Sequence, residues 1–336
     1  MRPPLNGLAP GKIPARLLEE LLAELPPGPP EVLVGPRLGE DGCAIELPGG
    51  VLVAATDPVT FTADQIGRWS VVVNANDVAV SGARPRWFLA VVLVPPGTAE
   101  AALRDLFAEL RHSLAALGAY LVGGHTEVTS AVTRPVVVGQ MLGLVEAGAI
   151  MRSAGAVVGD VVVQVRPVPI EGAAVLAREA ARELEEVDPA VIEAARVALE
   201  RPGISVVEAA LLAKGLGATA LHDPTEGGLA AGLHEIACAA GVRIRVDRDA
   251  ILWFEPGLVI CRALGADPWS TLASGGLLAV FPSTLAEAAL AELAGHQHAA
   301  AVVGVVEPGS GLHDIAGVAI PRPDRDEVAR LLRSCD

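Results

Sequence analysis

Four polar clusters interrupt an otherwise apolar sequence, and oxygen donors dominate them. They are Gly39-Glu40-Asp41-Gly42, Thr56-Asp57, the set Asn74, Asn76 and Asp77, and Gly123-Gly124-His125-Thr126-Glu127. Asp77 stands among valines, where an ionised carboxylate is costly to desolvate and calls for a cation or several donors. With Asn74 three residues before it and Ser81 four after, it falls on one polar stripe of a helix. That stripe either faces solvent or faces Mg²⁺, a hard cation that takes oxygen ligands. Asp41 and Asp57 would complete such a site if their elements converge, and either alone also suits a turn or cap. Gly123-Gly124 follows a short apolar run. It reads as a strand-end turn or as a backbone nest for an anion. In the second half, His222-Asp223-Pro224-Thr225-Glu226-Gly227-Gly228 opens a helix, either as an anion site or with Asp223 or Thr225 as its cap.

The elements that must position these residues follow from periodicity. Helices are expected at Pro14–Leu25, Gly67–Ser81 and Ala99–Leu117, the last ended by Gly118. Strands are expected at Cys43–Leu47, Val51–Ala55, Arg86–Val94, Tyr120–Val122 and Arg134–Val145. Glycines and small residues at Gly148–Gly159 mark a break. Beyond it, helices are expected at Gly172–Leu184, Val206–Lys214, Gly228–Ala240 and Leu285–Leu293. Strands are expected near Ala218–Leu221, Arg243–Val246, Leu277–Phe281 and Ala301–Val306. The pattern predicts an α+β protein of two domains, residues 1–150 and 151–336, with mixed sheets and no 20–50-residue repeat.

Composition narrows the chemistry. The 336 residues carry 25 basic and 40 acidic side chains, a formal charge of −15 that argues against nucleic acid as a partner. Only Lys12 and Lys214 are lysines, and neither precedes Ser or Thr, so a Walker phosphate loop is excluded. No GxSxG elbow or GxGxxG fingerprint occurs, and His234-Glu235-Ile236-Ala237-Cys238 lacks the second histidine of a zinc helix. Four scattered cysteines, an N-terminus without an apolar leader and no membrane-length apolar run lead us to expect a soluble, cytoplasmic protein.

Taken in order, the clusters resemble the aminoimidazole ribonucleotide synthetase-related (PurM-like) superfamily, nearest to its HypE-like branch. The resemblance runs from Gly11-Lys12-Ile13-Pro14 through Gly39–Asp41, Ala55–Asp57, Asn76–Ala79, Gly82–Pro85 and Gly123–Glu127. It continues to Ile170-Glu171-Gly172, Asp223–Gly228 and Asp267-Pro268…Ser274-Gly275. It implies an N-terminal α/β domain that forms a β-barrel across a homodimer, and a C-terminal α+β sandwich. It also implies ATP and Mg²⁺ in a cleft between the domains, with Asp41, Asp57 and Asp77 as metal-binding carboxylates. Gly39, Glu40, Asn76, Gly123, Gly124, Thr126 and Glu127 would join those three at the nucleotide, and Lys12, His125 and Asp223 would be the catalytic candidates. The implied reaction is phosphorylation of an oxygen on a small metabolite or carboxamide. The alternatives are ATP-dependent dehydration of a cysteine carboxamide, with a maturation partner, or nucleotide sensing without catalysis. The branch's Gly-Gly-Asp-Thr-Lys loop is here Gly124-His125-Thr126-Glu127, its Asn-Glu-Gly-Lys stretch is Ser274-Gly275-Gly276-Leu277, and the sequence ends Ser334-Cys335-Asp336.

Overall fold

Valine-rich alternation builds the first half as a sheet with one helical cover. In the computed structural model, which describes residues 15–23, 29–37, 39–59 and 64–332, helix α1 (Ala15–Ala23) precedes strands β1 (Val32–Val34), β2 (Cys43–Leu47) and β3 (Gly50–Val59). Helix α2 (Ile66–Val80), β4 (Arg84–Val94), α3 (Glu100–Leu117), β5 (Tyr120–Val128) and β6 (Val136–Val145) follow. The sheet order is β1-β2-β3-β6-β4-β5. All pairs are antiparallel except β4 with β5, which α3 connects as a crossover. Along β4, Phe88, Ala90, Val92 and Val94 point alternately inward, and α2 packs on that face. Helix α3 buries Leu106, Leu110 and Leu114, one per turn, and ends at Gly118 in the left-handed conformation (φ 69°) that an L side chain resists.

The second half forms a second sheet. Its elements are β7 (Asp160–Val165), α4 (Glu171–Glu179), α5 (Pro189–Arg196), α6 (Val207–Gly215), β8 (Ala220–His222), α7 (Gly228–Ala240) and β9 (Arg243–Val246). They continue with α8 (Glu255–Leu264), β10 (Leu277–Pro282), α9 (Ala286–Gly295), β11 (Ala300–Glu307), β12 (Gly311–Asp314) and α10 (Glu327–Leu331). The order is β12-β9-β11-β7-β10-β8. The α+β class expected from the sequence is what the structure shows. One apolar cluster crosses between the halves, joining Val78, Phe88 and Met141 to Val207, Ala210 and Phe281, so the two sheets are fastened together through packed side chains.

Several elements depart from the expectations. The turn expected after Val122 is instead strand, because β5 continues through Gly123–Glu127 to Val128 in register with β4. Helices α5, α8 and α10 and strands β1 and β12 fall where the sequence pattern predicts no element. These elements are short, and α5 starts at an Asp188 cap followed by Pro189 rather than at an apolar repeat. The expected helix at Pro14–Leu25 is seen over Ala15–Ala23, its ends lying outside the described residues. Among the described residues, no helix is long and apolar enough to cross a membrane.

Candidate functional site

The C-terminal end of β3 carries Thr56 and Asp57, and α2 fixes them in place. Thr56 Oγ1 donates to the Gly139 carbonyl at 2.8 Å. The Asp57 amide donates to Asn74 Oδ1 at 2.8 Å, and Asn74 Nδ2 donates back to the Asp57 carbonyl at 3.1 Å and to Ser70 at 2.8 Å. Asn74 is fully buried, so its amide is spent on holding the strand end. Gly139 makes the approach feasible, since a Cβ there would stand 2.4 Å from Asn74 Nδ2. One turn on, Asp77 shares the face of Asn74 and is itself buried. The Asn76 amide is committed to the second half: Nδ2 donates to the Ile204 carbonyl at 2.9 Å and Oδ1 accepts from the Val206 amide at 2.9 Å. It therefore fastens α2 to the second half.

Opposite these residues, β8 ends in His222-Asp223, and Gly227 and Gly228, both at positive φ, turn the chain into α7. The Gly227 amide donates to buried Asp326 at 2.7 Å. A narrow cleft with a cavity volume of about 90 Å³ lies between the halves, and Asp57, Asp77, Glu171, Asp223 and Glu226 line it together with Asn76 and Ser274. Trp69, Val73, Val175, Leu199 and Leu272 supply an apolar wall, and no Lys or Arg is among the lining residues described. Five carboxyl groups facing one cleft form a strongly negative wall when ionised, and their mutual repulsion favours a cation or proton there. Burial, and then the charge of Asp41, push the Asp223 carboxyl well above its usual range, with His222 opposing. Asp223 Oδ1 is buried and accepts no hydrogen bond. Glu171, at the start of α4, is raised to about 7, chiefly by burial, while its hydrogen bond with Ser274 pulls the other way. It keeps part of its surface open to the cleft.

This donor set fits Mg²⁺. The ligands are hard oxygens, and the orphaned Asp223 Oδ1 is an acceptor awaiting a cation or donor. Among the described residues no three acidic, His or Cys side chains form a ready cage. That suits an ion that keeps several waters and is held by one or two carboxylates plus substrate phosphates.

Asp41 and Glu40 lie elsewhere. They line a second cavity of about 420 Å³ with Thr56, Leu89 and Gln140, and Thr56 of this cavity adjoins Asp57 of the other in sequence. Asp41 Oδ2 accepts a hydrogen bond from His222 Nδ1 at 2.7 Å. His222 Nε2 is 3.0 Å from Glu235 Oε2, and Arg322 donates to Glu235 Oε1 at 3.1 Å. Burial opposes charge on His222, but the two flanking carboxylates outweigh it and hold the ring's pKa well above the usual value. Gly39 packs against the Glu235 backbone, and burial raises the Glu40 carboxyl although Arg152 stands 3.8 Å away. Segment 39–42 is thus docked on the second half rather than left open as a loop.

The remaining candidates separate from both cavities. All nine residues of β5 are exposed, so Gly123, Gly124, His125, Thr126 and Glu127 line neither cavity within this chain. His125 faces Glu127 at 3.5 Å. Gly124 answers to packing rather than to an anion, because a Cβ there would fall 2.0 Å from the Ala90 carbonyl of β4. Lys12 and Cys335 lie outside the described residues. Lys214, the other lysine, donates to the Gly82 carbonyl at 2.7 Å. Sequence reasoning did not single out His222, Glu235 or Glu171. Glu171 lies inside a matched motif and His222 at the head of the cluster that opens α7, but neither spacing gives it a role, and Glu235 is visible only as part of the rejected zinc helix.

Comparison with known proteins converges on the same fold. Residues 39–145 match the N-terminal domain of AIR synthase related protein, and residues 157–315 match its C-terminal domain. The chain is 32% identical over 292 residues to carbamoyl dehydratase HypE of Rhodobacter capsulatus, covering 84% of this chain and 82% of that one. It is 31% identical over 268 residues to carbamoyl dehydratase HypE of Cupriavidus necator, covering 77% and 74%. Among solved structures, a HypE–HypF complex superposes with a TM-score of 0.75 at 24% identity, over 91% of this chain and 99% of the other. AaThiL complexed with AMPPCP and TMP gives 0.71 at 18% identity, over 92% and 94%. The chain therefore belongs to the AIR synthase related, PurM-like family, among relatives that include carbamoyl dehydratase HypE.

Proposed function

We propose that this protein is an ATP-dependent dehydratase that converts a carboxamide to a nitrile, acting in the manner of the HypE relatives. Of the functions the sequence leaves open, this one is favoured by the two carbamoyl dehydratases matched across both domains. A structural neighbour that binds ATP supports the nucleotide. The observation that carries the reading in this chain is the acidic cleft between the halves, where Asp57, Asp77 and Asp223 converge.

In this reading the amide oxygen attacks the γ-phosphorus, the bond from that phosphorus to the β-bridging oxygen breaks, and ADP leaves. One N–H proton is lost as the imidate phosphate forms. Loss of the second N–H proton then expels phosphate with the former amide oxygen and leaves the C≡N bond. Mg²⁺, when bound, would neutralise phosphate charge in the cleft. Asp57, Asp77 and Asp223 would hold it, and Asn74 keeps Asp57 aligned. Glu171, poised near neutrality, is the group suited to receive an amide proton. The nearest sequence-level acceptor is Cys335 carrying a carbamoyl group.

The reading includes two partners. One is a second copy of the chain, seated on β5, whose Tyr120, Leu121, Val122 and Val128 present apolar surface to solvent. The other is a maturation protein of the kind seen in the HypE–HypF complex.

The test is intact-mass spectrometry of the chain carrying S-carbamoyl Cys335, incubated with Mg·ATP. Loss of one water together with ADP release supports the reading. ADP release and water loss on added S-carbamoyl cysteine by the Cys335→Ala chain would move the acceptor to another molecule. ATP binding without either product would leave a nucleotide sensor instead.

A further inference from the structure

Asp41 belongs to a segment without regular structure, residues 39–42, yet its carboxylate must be placed to a fraction of an ångström if it is to serve a phosphate-bound ion. The groups that place it come from the other half of the molecule. His222 at the end of β8 donates to Asp41 Oδ2 at 2.7 Å, and the ring is held from behind by Glu235 of α7 at 3.0 Å. Arg322, beyond β12, anchors Glu235 in turn at 3.1 Å, and Ser153 Oγ stands 3.3 Å from His222 Nδ1. His222 is 2% exposed, whereas Asp41 borders the second cavity.

The chain of contacts alternates in sign: carboxylate, imidazole, carboxylate, guanidinium. Such a buried chain is a poor way to gain stability, since apolar residues of equal volume commonly serve as well or better. Its distinctive property is geometric. Both ring nitrogens are engaged, Nδ1 by Asp41 with Ser153 nearby and Nε2 by Glu235, so the imidazole cannot rotate or shift without losing a bond, and Asp41 inherits that rigidity. The same logic governs residues that orient metal-binding groups from one layer out.

We propose that His222 is a positioning residue for Asp41, fixing it across the domain boundary so that the 39–42 segment and the acidic cleft act on one bound Mg·nucleotide. This rests on the reading that the cleft binds Mg·ATP. It assigns no proton transfer to His222, and it makes Glu235 and Arg322 the brace behind the ring.

Two substitutions separate the ring's two bonds. The His222→Asn amide nitrogen can occupy the place of Nδ1, keeping the bond to Asp41 and losing Glu235. The His222→Gln amide reaches the place of Nε2, keeping Glu235 and losing Asp41. Binding of Mg·ATP is measured by calorimetry on the full chain, beside the thermal midpoint without nucleotide. We expect His222→Gln to weaken Mg·ATP at least tenfold while His222→Asn stays within threefold of wild type, the two midpoints falling together within a few degrees. A purely structural histidine would make affinity follow the midpoint, not the retained bond. Equal affinities in the two variants, with wild type binding normally, overturn the proposal alone. A wild-type chain that binds no Mg·ATP overturns the proposed function and this role with it. Should His222→Gln not fold, Glu235→Gln and Asp41→Asn decide. The first is expected to leave affinity within threefold and the second to lower it tenfold, and the reverse order would refute the assignment.

Discussion

The acidic cleft and the β5 edge both carry residues that the sequence marks as functional, yet one is built and the other is bare. Around the cleft, acidic residues are held by specific contacts: the Asp57 backbone by Asn74, the Glu171 side chain by Ser274 and, at the adjoining cavity, Asp41 by His222. Strand β5 has a partner on one side only, and its side chains from Tyr120 to Val128 all face solvent. The difference teaches that a single chain assembles the carboxylate wall of a site by itself, using contacts between its halves. The His125 region gains surroundings of that kind only from another molecule, which is the role we give to a second copy.

Breaking the cleft should have the largest effect. Asp57→Asn keeps the backbone bonds to Asn74 and removes one negative charge from the cleft. Mg·ATP-dependent turnover is expected to fall roughly 100-fold, about 2.7 kcal/mol in the barrier, with the thermal midpoint unchanged or higher. Steady-state ADP release checks this. Next comes the support: Asn74→Ala deletes three hydrogen bonds around a buried site and should cost about 2–3 kcal/mol in denaturant unfolding.

Glu171 sharpens the comparison through pH. Its folded pKa of about 7 exceeds the ordinary 4.5, so the folded chain holds a proton that the unfolded chain releases. Stability from this group is full below about pH 4.5 and is lost as pH rises through 7. Glu171→Gln should therefore match wild type near pH 4 and exceed it by about 2 kcal/mol at pH 8, allowing for solvent reaching the group through the cleft. Thermal melts across that range measure it. The smallest effect on folding belongs to the edge strand: Val122→Glu should change stability by less than about 0.5 kcal/mol, while shifting the chain from dimer to monomer in light scattering.

The hairpin of β2 and β3, the polar stripe of α2 and the helix opened at Gly228 were legible because periodicity and turn residues act over a few positions. The wiring between the halves was not. His222 and Asp41 are 181 residues apart, and Asn76 meets Ile204 and Val206 across 128 and 130 residues. No local spacing encodes such a pair. The motif around Asn76 implies a place at the nucleotide, and what no motif shows is that both ends of its amide are engaged by the second half while the residue still borders the cleft. Gly123-Gly124 is ambiguous for a related reason: a glycine needed for close approach to a neighbouring strand looks, in one dimension, like a glycine needed for a turn or a ligand. Glu171 stands in the sequence only as the middle of the Ile170-Glu171-Gly172 motif, and it is packing against Ser274 that shows it to be a largely buried acid beside the stretch that lacks glutamate.

The central claim is that the cleft between the halves holds Mg·nucleotide on Asp57, Asp77 and Asp223. Its most direct test is a crystal structure with ATP and Mn²⁺ in place of Mg²⁺, read by the anomalous signal of manganese. The account predicts a manganese peak bridging those carboxylates and the nucleotide phosphates. A nucleotide bound elsewhere, or manganese with no carboxylate of the cleft among its ligands, would contradict it.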